Sequence, residues 1–431
     1  MDHVLEDAMV RELQYSLQGS YITKVFSVYF GGGTPSLARP HLIQKVLRGI
    51  QDVCDLDEGA EVTLEVNPTP SQTNKLHHFK AAGINRVSIG VQSLDNDVLR
   101  HLNRDHSVSD AVACINVAQQ LFTGRVSLDA IFGLPNQTLE RWRQDVRTIV
   151  NLCKDHLSLY QLTLEPGTQL YHQVKSGEVK VPCVDQLADM YEASVQVLKD
   201  IGLGRYEVSN FASNYSTQSR HNKAYWQASQ YLGVGPGAHT RIVPRDQNRE
   251  NTESGVVSNK DIYNKEYWQA SQHLDVGPRA HTRIVPSDNI NMGCTESGNL
   301  RRKNTPNLDN SLTDIIREAR VNACDPVSWL REVGRKGTGV RKVEQQTRLD
   351  VASEYLASGL RSTDGVTEAR WSVFLPQHTL YDIFSDRAKW LQQEQLIILS
   401  PEGMKVSERG LNVLDSILPH LLSMLVEKTN N

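Results

Sequence analysis

Four polar groups sit near the carboxyl ends of four apolar, β-branched runs, and together they suit a charged, hydroxyl-bearing ligand. The first is a glycine turn, Gly31-Gly32-Gly33-Thr34-Pro35, which closes the run Val25-Phe26-Ser27-Val28-Tyr29-Phe30. A turn without Cβ atoms lets backbone groups approach a ligand closely. Glu65, Gln92 and Asp129 stand at the same end of the next three runs, and Arg104 follows shortly after Gln92. A carboxylate inside an apolar segment is costly unless something pairs with it. Glu65 and Asp129 therefore either meet Arg or Lys partners or face a ligand carrying positive charge and hydroxyls. Arg104 fits a salt bridge or a ligand clamp. The alternative is that these groups pair with one another and fill a barrel interior.

The elements that hold these groups alternate. Strands are expected over 25–30, 61–66, 86–92, 125–132, 157–164 and 206–211, with helices near 3–18, 40–53, 71–82, 108–121, 138–152 and 185–202. Pro40 suits the first turn of its helix. Alternation of this kind reads as consecutive βαβ units, hence a parallel sheet, open or curled into a barrel, with the ligand at the strands' carboxyl ends.

After residue 220 the rhythm breaks. Asn222-Lys223-Ala224-Tyr225-Trp226 recurs as Asn264-Lys265-Glu266-Tyr267-Trp268, an offset of 42 residues that holds through Ala238-His239-Thr240 and Ala280-His281-Thr282. Two copies (222–246 and 264–288) are too few for a solenoid, so a tandem duplication is the simpler account. The copies differ: His221 and Gly237 in the first become Tyr263 and Arg279 in the second. The first is expected to pack on the barrel, and residues 255–305 to form a surface excursion of low local stability. Residues 287–310, rich in Asn, Ser, Thr and Gly, read as a flexible loop. Helices near 346–358, 376–384 and 387–393, a hairpin around Pro401-Glu402-Gly403 and a last helix over 408–425 resemble a winged-helix module.

Composition narrows the classes. A net charge of −4 and a pI near 6.4 argue against a general nucleic-acid binder. No apolar run is long enough to span a bilayer. Six scattered cysteines (Cys54, Cys114, Cys153, Cys183, Cys294, Cys324) contain no CxxC or CxxxC pair and suit free thiols in a reducing compartment.

The motifs Tyr29-Phe30-Gly31-Gly32-Gly33-Thr34-Pro35-Ser36, Leu64-Glu65-Val66-Asn67-Pro68, Arg86-Val87-Ser88-Ile89-Gly90-Val91-Gln92-Ser93, Asp129-Ala130-Ile131-Phe132-Gly133-Leu134-Pro135 and Tyr206-Glu207-Val208-Ser209-Asn210-Phe211 run in order along the chain. The set resembles the radical SAM enzymes related to oxygen-independent coproporphyrinogen III oxidase. His221-Asn222-Lys223-Ala224-Tyr225-Trp226 is similar to a motif of their haem-chaperone branch. The resemblance implies an α/β fold, a partial (β/α) TIM-like radical SAM barrel lacking its first strand, plus a small α+β winged-helix-like domain. The implied division is 1–220 (barrel core), 221–340 (barrel completion with the duplicated segment) and 341–431 (C-terminal module). It places S-adenosyl-L-methionine against Gly32, Gly33 and Thr34, with Glu65, Gln92, Arg104 and Asp129 around it. The implied role is to bind haem and pass it to acceptor proteins. His221 is the expected haem contact, with Tyr225 and Trp226 as walls and His239 as a second candidate.

The same resemblance implies a 4Fe–4S cluster on a CxxxCxxC motif, which no part of this sequence carries. That loop and the strand before it would lie upstream of Met1, so the expectation is a truncated member with no independent catalysis, its metal ligands absent. Oxygen-independent coproporphyrinogen oxidase chemistry of porphyrin biosynthesis and an inert pseudo-enzyme are the alternatives. Location is expected to be mitochondrial by resemblance, or cytoplasmic if the chain as given is complete.

Overall fold

A computed structural model describes residues 2–245, 272–276, 312 and 314–429. Twelve strands form one sheet: β1 (Lys24–Phe30), β2 (Asp55–Val66), β3 (Arg86–Gln92), β4 (Val126–Phe132), β5 (His156–Gln161), β6 (Gly204–Glu207), β7 (Asn210–Ala212), β8 (Gln230–Val234), β9 (His239–Ile242), β10 (Gln272–Val276), β11 (Ile315–Asn322) and β12 (Val340–Thr347). Their order is β12-β11-β9-β8-β10-β1-β2-β3-β4-β5-β7-β6. β1 to β5 are parallel neighbours in chain order, as expected of right-handed βαβ units.

Each connecting helix is cut to length by local signals. Helix Pro40–Gln51 opens on its proline, and Val108–Leu121 starts from a capping box made by Ser107 and Asp110. Leu42, Ile43, Val46 and Ile50 of the former and Ile115 and Ala118 of the latter are buried against Val28, Leu64, Val87 and Leu128 of the strands. One face of the sheet is therefore apolar and covered by helices.

Four expectations change. The run 206–211 is not one parallel strand but the antiparallel β6–β7 hairpin, because the Val208 N–H leaves the sheet for the Arg361 carbonyl (3.0 Å) and the Asn210 amide turns back to Glu207. Helix 71–82 divides into Pro70–Thr73 and Leu76–Ala81. The last helix divides at Val413 into Glu408–Asn412 and Leu414–Thr429. The fourth change concerns the duplication. Residues 272–276 of the second copy are not part of a surface excursion but lie inside the sheet as β10, parallel to β8 on one side and β1 on the other. The rest of 264–288, and the loop 287–310, lie outside the described residues.

A second core is drawn mostly from residues beyond Thr347, joined by Ala228 and Leu312, and the boundary expected at 341 falls inside β12. It packs Tyr355, Trp371, Phe374, Phe384 and Leu421 around a three-stranded antiparallel sheet of β13 (Val366–Thr367), β14 (Ile397–Ser400) and β15 (Gly403–Val406), in the order β13-β15-β14.

Two carboxylates, Glu12 buried and Glu354 half-buried, tie these parts together. Glu12 on the first helix (Asp2–Gln18) accepts from the backbone N–H of Gly235 (2.9 Å) and Gly339 (2.6 Å), Trp329 Nε1 (2.8 Å) and Asn322 Nδ2 (3.0 Å). Glu354, on the first helix of the second core, has Oε2 2.8 Å from Arg317 Nη2 of β11 and 3.2 Å from Arg241 Nε of β9. Gln346 Nε2 donates to the same oxygen at 3.1 Å. Burial alone would raise the Glu354 carboxyl, but the two guanidiniums outweigh it and hold the group at about 2, against an ordinary 4.5.

A carboxylate held low contributes stability above its unfolded value and loses it as pH falls toward the folded one. Glu354 should therefore contribute about 3 kcal/mol at neutral pH that disappears between roughly pH 4.5 and 2. Thermal melts across that window are expected to fall steeply for the native chain and to flatten for Glu354→Gln.

Candidate functional site

The sheet face opposite the helices is polar because alternate strand residues are polar. Strand period two puts Ser27 and Tyr29 (β1), Glu61, Thr63 and Glu65 (β2), Arg86 and Ser88 (β3), Ser127 and Asp129 (β4), and His156, Ser158 and Tyr160 (β5) on one side. Pairing aligns them across strands: Glu65 with Ser88, Ser88 with Ser127, Asp129 with Ser158.

The lower of the two resulting layers is a floor. Arg86 Nη1 lies 3.5 Å from Glu61 Oε2, both side chains only 2% exposed, and Arg86 Nη2 donates to the Thr217 carbonyl at 3.0 Å. The backbone N–H of His221 (3.1 Å) and Ser219 Oγ (3.2 Å) donate to Glu61 Oε1. His156 Nδ1 is 2.7 Å from Ser127 Oγ and its Nε2 2.8 Å from Tyr206 Oη. Burial, with help from Arg86, holds His156 well below the ordinary histidine value, so the ring is neutral.

Above the floor lies the rim. Tyr29 Oη donates to Glu65 Oε1 at 2.8 Å, and the Gly32 N–H donates to Glu65 Oε2 at 3.1 Å. Ser88 Oγ donates to Asp129 Oδ2 at 2.8 Å. Burial pushes the Asp129 carboxyl up from its ordinary value, against the pull of the Ser88, Ser158 and Ser127 hydroxyls. Beside them His106 sits with Nδ1 3.1 Å from Asn67 Oδ1. Burial lowers its basicity.

The expected ligand residues take distinct places. Gly32 and Gly33 have φ of 77° and 67°, the left-handed region that glycine tolerates, and Gly33 is exposed. Thr34 leads into the turn Pro35–Leu37. Gln92 has φ of 63° at a bulge, and its amide folds back over Gly90, where a Cβ would lie 2.6 Å from Nε2. Arg104 is exposed beyond helix Asn96–His101, and no bond joins it to Glu65 or Asp129 among the described residues. The structure thus brings Gly32 and Glu65 into one bonded group and Asp129 into a second, with Gln92 and Arg104 on the side of β3.

His221 belongs to the floor. Its ring is 3% exposed, stacks on Tyr29 (centroids 4.8 Å, 18°) and lies 2.9 Å through Nδ1 from Ser27 Oγ. Tyr225 meets it edge-on at 5.1 Å, and Trp226 is buried. His239 lies on β9, half-buried. The signal for the serines, Arg86, His156 and Tyr206 was the strict alternation of each strand, legible once the apolar positions were assigned to the helix side.

The described residues do not fit an iron–sulfur cluster. No group of three His, Cys, Asp or Glu among them could hold a metal ion. Burial pushes the thiols of Cys54 and Cys114 up to about 11 and that of Cys153 to about 12, the reverse of a thiolate ligand. The glycine turn and the two carboxylates do suit S-adenosylmethionine, which offers an ammonium, ribose hydroxyls and a sulfonium to such acceptors.

A parallel sheet with a glycine turn after its first βα-type strand and carboxylates on its polar face defines a class, and residues 14–149 match the model of the radical SAM superfamily. The chain belongs to that superfamily. It is 39% identical over 425 residues to "Radical S-adenosyl methionine domain-containing protein 1, mitochondrial" of Bos taurus, covering 98% of this chain and 81% of that protein. It is 36% identical over 240 residues to "Heme chaperone HemW" of Haemophilus influenzae, covering 56% and 61%. In fold it is similar to the Escherichia coli coproporphyrinogen III oxidase HemN, with a TM-score of 0.64 and 17% identity, covering 98% of this chain and 82% of that one.

The rim depends on Gly31, where a Cβ would stand 2.4 Å from Tyr29 Cε1 and 3.0 Å from Glu65 Oε1. The Tyr29 ring cannot retreat because His221 backs it. Gly31→Ala should cost about 1–3 kcal/mol by denaturant unfolding, and an unchanged midpoint would mean that the Tyr29–Glu65 pair is free to move.

Proposed function

We propose that this chain binds S-adenosylmethionine at the carboxyl edge of the sheet and serves in haem handling, delivering haem to acceptor proteins. The observation that carries the first part is the Gly32–Glu65–Tyr29 group standing on the same polar face as Asp129. The relatives named haem chaperones support the second. In this reading the turn Gly32, Gly33, Thr34 and Glu65 take the methionyl end, and Gln92, Arg104 and Asp129 take the ribose and the sulfonium side. When bound, the ligand supplies a sulfonium whose charge the carboxylates balance. No step runs through a cluster. The Bos taurus relative carries "mitochondrial" in its name, which supports that location, and among the described residues no helix is long and apolar enough to cross a membrane. The division 1–220, 221–340 and 341–431 is retained as a proposal, with the last boundary moved to Thr347.

His221 we assign to the floor rather than to haem iron. A macrocycle at His221 would have to displace Tyr29 or lift helix Arg220–Trp226 off β1. Two measurements check these readings. Titration calorimetry should show S-adenosylmethionine binding that Asp129→Ala weakens by at least about tenfold, and equal affinities would refute the rim assignment. Haem added to the native chain should shift the Soret band, and His221→Ala should leave that shift intact while lowering thermal stability. Loss of the shift in His221→Ala would return the haem to His221.

A further inference from the structure

The second copy of the repeat lies beside the first in the register of the duplication itself. Gln272, His273, Leu274, Asp275 and Val276 pair with Gln230, Tyr231, Leu232, Gly233 and Val234, each the same 42 residues apart. On its other edge the same strand pairs His273–Val276 with Ser27–Phe30. We propose that the gap between β1 and β8 is a strand-acceptor site, and that the second copy is the chain's own strand for it.

The two copies cannot exchange places. β8 turns into β9 through Gly235-Pro236-Gly237, with Gly237 at φ of 71°. Gly233 is packed against that turn: a Cβ there would lie 2.2 Å from the His239 carbonyl oxygen, and its N–H donates to Thr240 Oγ1 at 3.0 Å. The second copy carries Asp275 in place of Gly233 and Arg279 in place of Gly237. It can extend as a strand but cannot occupy the β8 position. The divergence therefore assigns each copy to one site.

The acceptor is a demanding one. A strand's place between two others spans about 9.5 Å, and leaving it empty would strand the N–H and C=O groups of β1 and β8 in the middle of a sheet. It would also open the core at Val28, Phe30, Leu232 and Val234, all at most 2% exposed. Leu274 and Val276 hold the register positions level with these four. The site thus takes an extended five-residue segment, parallel to both neighbours, with apolar residues third and fifth.

Hydrogen exchange read by mass spectrometry on the full chain tests this. Residues 24–30, 230–234 and 272–276 should be protected together. Leu274→Pro, which removes a ladder donor and blocks the strand, should speed exchange in β1 and β8 by at least about tenfold while β3 and β4 keep their native protection. Exchange of 272–276 at unstructured rates in the native chain would overturn the proposal, as would unchanged protection of β1 and β8 in the variant. If Leu274→Pro does not fold, deletion of 247–288 takes its place. Its β1 and β8 should exchange faster and regain protection when a peptide of residues 270–278 is added, but not a scrambled one. A deletion that protects β1 and β8 without the peptide would show that they close on each other and that no acceptor site exists.

Discussion

A sheet with one polar face needs a partner for every donor and acceptor it hides, and that constraint organises this molecule. Burying an unpaired hydroxyl or carboxylate costs several kcal/mol, about as much as a well-packed side chain returns. The floor answers much of the requirement by recruiting the segment Thr217–Trp226, whose backbone and side chains meet Arg86, Glu61 and Ser27, although Thr63 Oγ1, Tyr225 Oη and Trp226 Nε1 find no hydrogen-bond partner among the described residues. Tyr206 and Ser127 close the same account around His156. What stands at the rim is the pair of carboxylates held by hydroxyls and one glycine N–H. The site is the upper edge of a hydrogen-bond network whose lower part is structural.

The parallel half of the fold was legible because its signals are local. Alternating strands and helices of ordinary length and glycines at turns fixed β1 and β3 to β5 to within three residues, while β2 begins six residues before its expected start. The antiparallel half was not. Val340–Thr347 reads Val-Arg-Lys-Val-Glu-Gln-Gln-Thr, mostly polar, and becomes a strand because β11 pairs with it from 25 residues upstream. Helix Pro326–Lys336 was likewise missed, although Asp325, Pro326 and Gly337 mark both its ends. The second repeat copy misled for a different reason. Asp275 and Arg279 do exclude it from the role of the first copy, but nothing in the pattern of the segment points to a place beside β1.

At the site, the carboxylates were found by their incongruity: a Glu or Asp within a β-branched run has few explanations. His221 shows the limit of that reasoning. A histidine followed by Tyr225 and Trp226 invites a cofactor, yet Tyr29, the sixth residue of another strand, already stacks on the ring. No pattern within residues 221–226 carries that information, since it depends on how β1 and the helix meet. Arg104 presents the opposite case, a plausible partner by position that no bond joins to Glu65 or Asp129 among the described residues.

The contacts of Glu12 bear on how the chain is made. All four of its donors come from residues 223 to 327 positions later in the sequence. Ribosomes deliver roughly 5–20 residues per second, so the first helix emerges about 16–65 s before Gly339 exists to bond its carboxylate. During that interval the side chain must stay in water, and the helix cannot seat its buried face permanently on β8 and helix Pro326–Lys336. This helix is thus made well before the residues that lock it, which leaves its apolar stripe of Met9, Leu13 and Leu17 in need of protection until they arrive.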